Sequence, residues 1–302
     1  MRRPFLFFCF ALIGMACLAQ TPPGVKTVRN IVYSKPGGRE LLMDLYLPEA
    51  APRPLPVVVW VYGGAWRAGS KDDRQTQGAL WLTRHGYAVA AFNYRLSQEA
   101  KFPAQIHDAK AAVRWLRRHA SEHGLDAGRI AAWGASAGAH LAALLGVSAG
   151  VKDLEGPEHD PQVSTRVQAV VDFFGPTDFL QMDAHALPGG QRHNPADSPE
   201  SQLIGGPIQE NPDKVARANP VTYVTRDAAP FLILHGERDP LVPVHQSELL
   251  FDALRKAGVP VVFHKIAGAG HGGPEFHSPV ARAMVLAFLD EHLKSKPAGA
   301  ER

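Results

Sequence analysis

The chain has 302 residues, 45% of them hydrophobic, and a formal net charge of +3 at pH 7. Its 32 basic and 29 acidic residues are nearly balanced and form no block of like charge, so nucleic acid and anionic membrane surfaces are not expected partners. No linker or repeat divides the chain, and its length suits one α/β unit.

Residues 1–19 have the composition of an export signal. Two arginines precede a mainly apolar stretch, and Ala19 supplies a small residue for cleavage before Gln20. The stretch is short for a membrane span and a Pro/Gly segment follows it, so we expect no stable membrane insertion after cleavage. We predict a periplasmic or secreted protein. Ordinary and twin-arginine export both stay open, because the arginine pair loosely resembles a twin-arginine signal.

Both cysteines, Cys9 and Cys17, lie within this segment. Cleavage would leave a mature chain, 20–302, with no disulfide, no cysteine–metal site and no cysteine nucleophile. It would also leave 30 basic and 29 acidic residues, a net charge of +1. Lipid anchoring at Cys17 is a minor alternative, since the residues before it match a lipidation signal poorly.

Apolar strand-like runs alternate with helical segments along the mature chain. Near-continuous hydrophobicity is typical of strands buried on both faces of a parallel sheet. The alternation predicts a doubly wound, mostly parallel sheet between helical layers, with an antiparallel hairpin at its amino-terminal end. The predicted strands cover residues 28–33, 41–47, 57–62, 88–94, 129–133, 167–174, 231–235 and 261–266. The predicted helices cover residues 103–119, 137–145, 244–257 and 278–293.

A long segment, 175–228, interrupts the alternation. Its seven prolines and several glycines predict an irregular insertion. Long insertions of this kind are usually functional or mobile, so we expect a small cap over the substrate. The insertion shows no strong helical stripe of the kind that forms an amphipathic lid. Phe179, Met182 and Leu187 are predicted to line a modest acyl or aryl pocket.

A candidate nucleophile lies in Gly-Ala-Ser-Ala-Gly at 134–138, between a predicted strand and a predicted helix. A sharp turn of this kind exposes the hydroxyl of Ser136, and the flanking glycines let backbone segments approach closely. The chain contains a second match at 146–150, but no strand precedes Ser148, and its glycines suit a helix end and a loop. We therefore predict Ser136 as the nucleophile and a structural role for Ser148.

A serine hydroxyl is a weak nucleophile and needs a histidine base, which in turn needs a carboxylate to orient it. In doubly wound sheets, ligands bind outside the carboxyl ends of the strands, so both partners should lie in strand-end loops. Asp239 follows the predicted strand 231–235, and His271 follows the last predicted strand. Ser136, Asp239 and His271 are thus the predicted catalytic triad.

Other residues could take single positions in this arrangement. Glu237 is the nearest alternative to the aspartate, and Asp172 is a weaker one because it falls inside an apolar strand. Among the 14 histidines, His235 is interpreted as a satisfied core or strand-end group. His140 lies one helical turn beyond the serine and is expected to pack or form a hydrogen bond, and His277 begins the last helix.

The reaction also needs backbone N–H groups that face the developing oxyanion. Tyr-Gly-Gly-Ala-Trp at 62–66 follows a predicted strand, and its small residues leave N–H groups open to a ligand. Ala137, beside the serine at a helix amino terminus, offers a further N–H group with a favourable dipole. The sequence therefore predicts an oxyanion hole formed by this turn and Ala137.

These motifs resemble those of the α/β-hydrolase superfamily, and more narrowly the bacterial feruloyl-esterase-like and hormone-sensitive-lipase-like carboxylesterases. The resemblance implies that Gly64, Ala65 and Ala137 form the oxyanion hole. The family usually has histidine where this chain has Tyr62, which is similar to a carboxylesterase variant. The resemblance runs over residues 30–293 and is carried by the segments at 44–48, 62–67, 69–71, 93–96, 102–103, 126–133 and 136–138 together with Asp108.

Residues and resemblance together predict an exported serine carboxylester hydrolase with no cofactor. No metal is expected, because no H-E-x-x-H-type cluster occurs. Short acyl esters (acetyl to butyryl) and small aryl or hydroxycinnamoyl esters are the expected substrates, either as small molecules or linked to polysaccharide. Plant cell-wall esters are favoured by the resemblance alone. The alternatives are an arylformamidase, which resembles the chain in the Gly-Gly-x-Trp turn, and a non-catalytic binding protein on a hydrolase fold.

Overall fold

Eight strands form one sheet in the part of the chain that the computed structural model describes, residues 20–157 and 159–294. The strands are β1 (Val25–Ser34), β2 (Leu41–Pro48), β3 (Leu55–Val61), β4 (Ala88–Phe92), β5 (Leu125–Ala135), β6 (Ala169–Phe173), β7 (Phe231–Gly236) and β8 (Val261–Ile266). They lie in the order β1-β2-β4-β3-β5-β6-β7-β8. The pairs β1–β2 and β2–β4 are antiparallel and the other pairs are parallel, which confirms the predicted sheet and hairpin.

Helices cover both faces of this sheet. The α-helices of the described residues are α1 (Arg74–Gln77), α2 (Ala104–Arg118), α3 (Ala120–His123), α4 (Ala137–Val147), α5 (Lys152–Glu155), α6 (Pro199–Ile204), α7 (Pro212–Ala218), α8 (His245–Lys256) and α9 (Pro279–Leu293). Helices α2, α4 and α8 share a hydrophobic core with one face, whereas α9 and the 3-10 helix Leu80–His85 share a core with the other. The three-layer arrangement predicted from the alternation is therefore correct.

Alternation along the strands separates the two cores. In β3, Val57 and Val59 belong to the core under α2, α4 and α8, whereas Val58 and Trp60 belong to the core under α9. Successive side chains of a strand point to opposite faces, so a strand covered on both sides must be apolar at nearly every position. All seven residues of β3 are buried. This is the physical basis of the uninterrupted apolar run in the sequence.

The insertion at 175–228 is more regular than its prolines suggest. It contains α6 and α7 and several 3-10 turns, each too short to span more than two helical turns. Apolar side chains from these turns, among them Leu203, Ile208 and Val215, are buried in the core that α2 and α4 share. The insertion is therefore an integral part of one side of the molecule.

The sequence-based predictions about export concern the amino-terminal residues. The predicted export signal at 1–19, with Cys9 and Cys17, lies outside the described residues. Within the described ranges, no helix combines the length and apolar character that a membrane crossing requires.

Candidate active site

Ser136 lies in the sharp turn between β5 and α4. Its φ of 56° and ψ of −126° are unusual for a residue other than glycine, and such strained positions concentrate at functional sites. A Cβ at Gly134 would overlap the backbone of Gly138, and a Cβ at Gly138 would overlap the carbonyl of Val61. The two glycines therefore allow the strand, the turn and the helix to pack closely enough to hold the serine at the sheet edge.

The structure brings together the three residues of the predicted triad. His271 Nε2 lies 2.9 Å from Ser136 Oγ, and His271 Nδ1 lies 2.7 Å from Asp239 Oδ2. The residues come from separate loops, which follow β5, β7 and β8 at the carboxyl edge of the sheet. Asp239 is 2% exposed, whereas the serine and the histidine are only partly buried.

The Asp239 carboxylate is held on both of its oxygens. The backbone N–H groups of Leu241 and Val242 donate to Oδ1 at 2.8 and 2.9 Å. The second oxygen, Oδ2, faces His271 and also lies 3.2 Å from His235 Nε2. Burial alone would raise the pKa of Asp239, but the hydrogen bonds with His235 and His271 outweigh it and hold the pKa well below its usual value. The carboxylate is thus fixed in position and charged.

The alternative residues occupy other surroundings. Glu237 is exposed on the loop after β7. Asp172 is buried within β6, where it accepts a hydrogen bond from the Gly175 amide at 2.9 Å and where burial raises its pKa to about 6. Ser148 is fully buried at the end of α4, and its Oγ donates to the Leu144 carbonyl at 2.6 Å. The hydrogen bonds of Asp172 and Ser148 are structural.

The other histidines considered in the sequence also lie outside the triad. His140 is fully buried, its Nε2 lies 2.7 Å from the Ala218 carbonyl, and burial lowers its pKa to about 4. His235 Nδ1 lies 2.7 Å from Ser247 Oγ, as expected of a satisfied strand-end group. Its contact with the Asp239 carboxylate could not be foreseen from the sequence. His277 ends a 3-10 helix ahead of α9 and lines the cavity at the serine.

Backbone N–H groups beside the serine remain available to a ligand. Gly64, Ala65 and Ala137 line the same cavity as the serine. Among the described residues, no group accepts a hydrogen bond from the amides of these three. The neighbouring Gly63 differs, because its amide donates to Gln75 Oε1 at 3.0 Å. The amides of the three predicted donors thus have no acceptor within the described part of the chain.

Tyr62 supports the turn that carries two of these amides. Its ring stacks on the Tyr94 ring with centroids 4.5 Å apart and an interplanar angle of 13°. The Tyr94 hydroxyl donates to the Tyr62 carbonyl at 3.1 Å, and burial raises the pKa of the Tyr62 hydroxyl. Tyr62 is 1% exposed and does not line the cavity, so its contacts are those of a supporting residue.

The serine opens on a cavity of about 460 Å³, within the usual range for a small-molecule site. One wall is aromatic and reaches the histidine of the triad. Ring contacts connect Trp60, Trp133, Phe173 and Phe276 at centroid distances of 5.2 to 5.4 Å. Phe174 lies 4.7 Å from Phe276 and 4.5 Å from the His271 ring. This aromatic wall offers flat apolar surface beside the reactive hydroxyl.

The predicted apolar lining from the insertion is wrong. Phe179 is fully buried with its ring against Trp66 and His140, and Met182 is fully buried in the core. Leu187 is 38% exposed at the surface and does not line the cavity. The short helical turns of the insertion direct these side chains into the protein core or to solvent, and aromatic residues near strand ends provide the apolar surface instead.

A second, polar wall comes from the insertion and includes Gln191, His193 and Glu200. His193 Nδ1 lies 3.1 Å from Glu200 Oε1, and both side chains are almost fully buried. Burial alone would lower the pKa of His193, but Glu200 outweighs it and raises the pKa. Ser198 caps α6 by accepting from the Ser201 amide at 3.1 Å, which places Glu200 in the first helical turn. Neither His193 nor Glu200 was predicted from the sequence.

Comparison with known proteins identifies the family. A sequence model of the BD-FAE family matches residues 43–254, most of the described chain. The chain belongs to the BD-FAE family. A solved structure with 31% identity, a truncated carbohydrate esterase from gut microbiota, covers 93% of the chain and 99% of its own length with a TM-score of 0.79. The predicted α/β-hydrolase fold is therefore confirmed.

Two further relatives support this assignment to BD-FAE. The Mycobacterium tuberculosis esterase LipQ is 33% identical over 85% of the chain, and the chain spans 60% of the length of LipQ. A thermophilic esterase of Thermogutta terrifontis, Est2, is 27% identical, with a TM-score of 0.72 and coverage of 92% of this chain and 95% of its own. Esterases thus recur among the proteins that this BD-FAE chain resembles.

Proposed function

We propose that this protein is a serine carboxylester hydrolase acting on short acyl esters and on small aryl or hydroxycinnamoyl esters. The observation that carries the proposal is the Ser136–His271–Asp239 hydrogen-bond chain, which opens on a cavity with unused backbone N–H groups. Membership in a family with esterase relatives supports the same reaction class.

The geometry suits acylation of the serine. His271 Nδ1–H donates to Asp239, which leaves the Nε2 lone pair to accept the proton of Ser136 Oγ. The serine oxygen attacks the ester carbonyl while Nε2 takes the proton, and the Asp239 carboxylate stabilises the imidazolium that forms. Nε2 then returns the proton to the departing alkoxide, and the acyl group remains on the serine.

Deacylation repeats these steps with water as the nucleophile. The histidine takes a proton from water and the hydroxide adds to the acyl carbon. The intermediate then collapses to release the acid, and the histidine returns the proton to Ser136 Oγ. In both halves the carbonyl oxygen becomes negatively charged. The amides of Gly64, Ala65 and Ala137 would donate to it, an interaction worth about 3–4 kcal/mol per donor in related sites.

Substrate size follows from the cavity wall. Flat aromatic rings stabilise small acyl and aryl groups through apolar contact and edge-to-face packing. The described insertion contributes short turns and no long amphipathic lid of the type that covers long acyl chains. We therefore place acetyl, butyryl and hydroxycinnamoyl esters ahead of long-chain lipids, either as free molecules or attached to polysaccharide.

A substrate panel on the purified protein tests the proposal. kcat/KM is measured for the acetate, butyrate and palmitate of one alcohol, for methyl ferulate and for an aryl formamide. We expect hydrolysis of the short or hydroxycinnamoyl esters to be fastest. Fastest hydrolysis of palmitate would contradict the cavity argument, and fastest hydrolysis of the formamide would favour an arylformamidase. Inactivity towards every ester would contradict the reaction class.

Export is a separate part of the proposal and rests on the sequence of residues 1–19. We expect the protein to be recovered outside the cytoplasm with Gln20 as its first residue, which the intact mass of the purified native protein would show. A retained amino terminus on protein from the cytoplasmic fraction would contradict export, and a lipid-sized mass increase on a chain that begins at Cys17 would indicate anchoring instead.

A further inference from the structure

The polar wall contains a carboxylate with unused hydrogen-bonding capacity. Glu200 is 3% exposed, and its Oε1 faces His193 Nδ1 at 3.1 Å. Its other oxygen, Oε2, is buried and has no hydrogen-bond partner among the described residues. Buried carboxylate oxygens are normally hydrogen-bonded, because an unsatisfied one is destabilising. This oxygen is buried and Glu200 lines the cavity, so a ligand bound in the cavity could supply the missing donor.

Among the described residues, the contacts that stabilise the insertion do not involve Glu200 Oε2. The cap of α6 is made by Ser198, whose Oγ accepts the Ser201 amide, so Glu200 has no capping role. His193 Nδ1 lies at ion-pair distance, 3.1 Å, from only one of the two carboxylate oxygens. Glu200 Oε2 has no partner in the described part of the chain.

The Glu200–His193 pair lies where it can contact a substrate bound in the cavity. Glu200 and His193 line the same cavity as Ser136, on a wall built by the insertion. Aromatic rings also line this cavity, and their apolar faces cannot accept a strong hydrogen bond from a hydroxyl group. The cavity therefore offers an ester bound at the serine both apolar rings and a carboxylate acceptor.

We propose that Glu200 accepts a hydrogen bond from a hydroxyl group of the ester substrate, and that His193 positions Glu200 for this contact. The inference rests on the proposed esterase function and narrows its substrates to hydroxylated esters. The hydroxyl can belong to the alcohol, as in a sugar or polyol ester, or to the acyl group, as in a phenolic hydroxycinnamoyl ester. In either case the unhydroxylated analogue leaves the carboxylate unsatisfied and is disfavoured.

Two matched ester pairs test this inference and separate the two sources. The first pair is cyclohexyl acetate and the monoacetate of trans-cyclohexane-1,2-diol, which differ by one hydroxyl on the alcohol. The second is methyl cinnamate and methyl 4-hydroxycinnamate, which differ by one hydroxyl on the acyl group. We expect the wild-type protein to prefer the hydroxylated member of one pair by about 10- to 100-fold in kcat/KM, the usual range for a hydrogen bond to a charged group. The preferred pair identifies the source.

Substitution of the carboxylate should remove that preference. In Glu200→Gln, an oxygen of the amide can still face His193, and the NH2 group then replaces the acceptor in the cavity. We expect kcat/KM for the preferred hydroxylated ester to fall about 10- to 100-fold, with less than about 3-fold change for its unhydroxylated partner. Glu210→Gln, an equal chemical change at an exposed site of the same insertion, is the control and should alter neither.

Each outcome separates this inference from the proposed function. Equal wild-type rates within both pairs would overturn the role of Glu200 while leaving the esterase function intact. Equal losses on all four esters in Glu200→Gln would show that the residue only supports the structure. If that variant does not fold, the wild-type ratios decide alone. Phenyl acetate is added as a general probe, and inactivity of the wild-type protein on it and on every other ester would contradict the proposed function itself.

Discussion

The strand-end loops and the insertion at 175–228 contribute to the same cavity in different ways. In the loops, polar groups satisfy one another: Asp239 has partners on both oxygens, and His271 bridges it to Ser136. In the insertion, Glu200 keeps one buried oxygen with no partner among the described residues. The sheet edge thus holds a complete hydrogen-bond chain of its own, whereas in our proposal a substrate hydroxyl completes the insertion wall. Changes in the loops should affect every substrate, and changes in the insertion should affect selectivity.

The largest effect is expected at the serine of the loop region. Ser136→Ala should lower kcat for all ester substrates by about 10⁴- to 10⁶-fold, because the triad acts as a unit. Ser148→Ala is the matched control. It removes a hydrogen bond to the Leu144 carbonyl, so its cost should be about 1 kcal/mol of stability with activity retained. Steady-state kinetics and thermal unfolding of both variants measure this contrast. Loss of activity in Ser148→Ala with retention in Ser136→Ala would reverse the assignment.

The aspartate should rank next. Asp239→Asn should lower kcat by about 10⁴-fold, since the amide no longer stabilises the imidazolium and favours the wrong tautomer of His271. Glu237→Gln changes an exposed side chain two residues away and should leave kcat within about 3-fold, consistent with the small effects of surface substitutions. The two variants are compared on one short acyl ester. Comparable losses would mean that the loop after β7, and not the carboxylate at 239, determines activity.

A smaller effect is expected at Tyr62, which supports the turn at 62–66 but does not line the cavity. Tyr62→His should therefore keep kcat within about 10-fold. The smaller ring loses part of the stack on Tyr94, so we expect a stability loss of about 1–2 kcal/mol. Denaturant unfolding and ester kinetics check the two parts. A fall of more than about 100-fold in kcat, the scale of one lost oxyanion donor, would assign Tyr62 a direct catalytic role.

The smallest effect on activity is expected at Asp172, whose carboxyl is buried within β6. Its pKa is raised from 3.8 to about 6 by burial, with the nearby His235 opposing the rise. Because the folded-state pKa lies above the unfolded value, the folded protein binds this proton more tightly, and stability is lost as the pH rises from about 4 to about 6.

Asp172→Asn keeps an acceptor for the Gly175 amide but cannot ionise. It should therefore raise the free energy of unfolding at pH 8 by about 2–3 kcal/mol, with the gain vanishing near pH 4. Ester hydrolysis should be nearly unchanged. Urea unfolding at the two pH values is the measurement, with the wild-type protein as reference. A gain of equal size at both pH values would show that packing, not ionisation, determines the effect.

Local patterns determined how much of the site the sequence could predict. Ser136 and His271 lie next to strand ends, where apolar runs stop and glycines begin, so their shared edge followed from strand order and direction alone. The lining of the cavity could not be predicted in this way. Phe179 points into the core and Glu200 towards the cavity because of how short turns pack on α2 and α4, and that packing involves residues distant in the sequence.

Local sequence patterns also did not predict the ends of β5 or the contact between His235 and Asp239. The predicted strand at 129–133 extends to Leu125–Ala135, because Leu125 pairs with Leu55 of β3 and regular pairing resumes at Ile130 after an irregularity. His235 was expected to be a satisfied strand-end group, and it is, but its contact with Asp239 depends on the fold of the loop after β7. Backbone pairing and loop geometry leave little trace in hydrophobic periodicity.

Covalent labelling tests most directly whether Ser136 is the nucleophile of a serine hydrolase. The purified protein is incubated with a fluorophosphonate, and peptide mass spectrometry locates the adduct. Modification of one site per chain, on Ser136, with parallel loss of ester hydrolysis is the expected result. Ser136→Ala should take up no label, whereas Ser148→Ala should be labelled like the wild-type protein. An adduct on another residue, or full labelling of Ser136→Ala, would contradict the assignment.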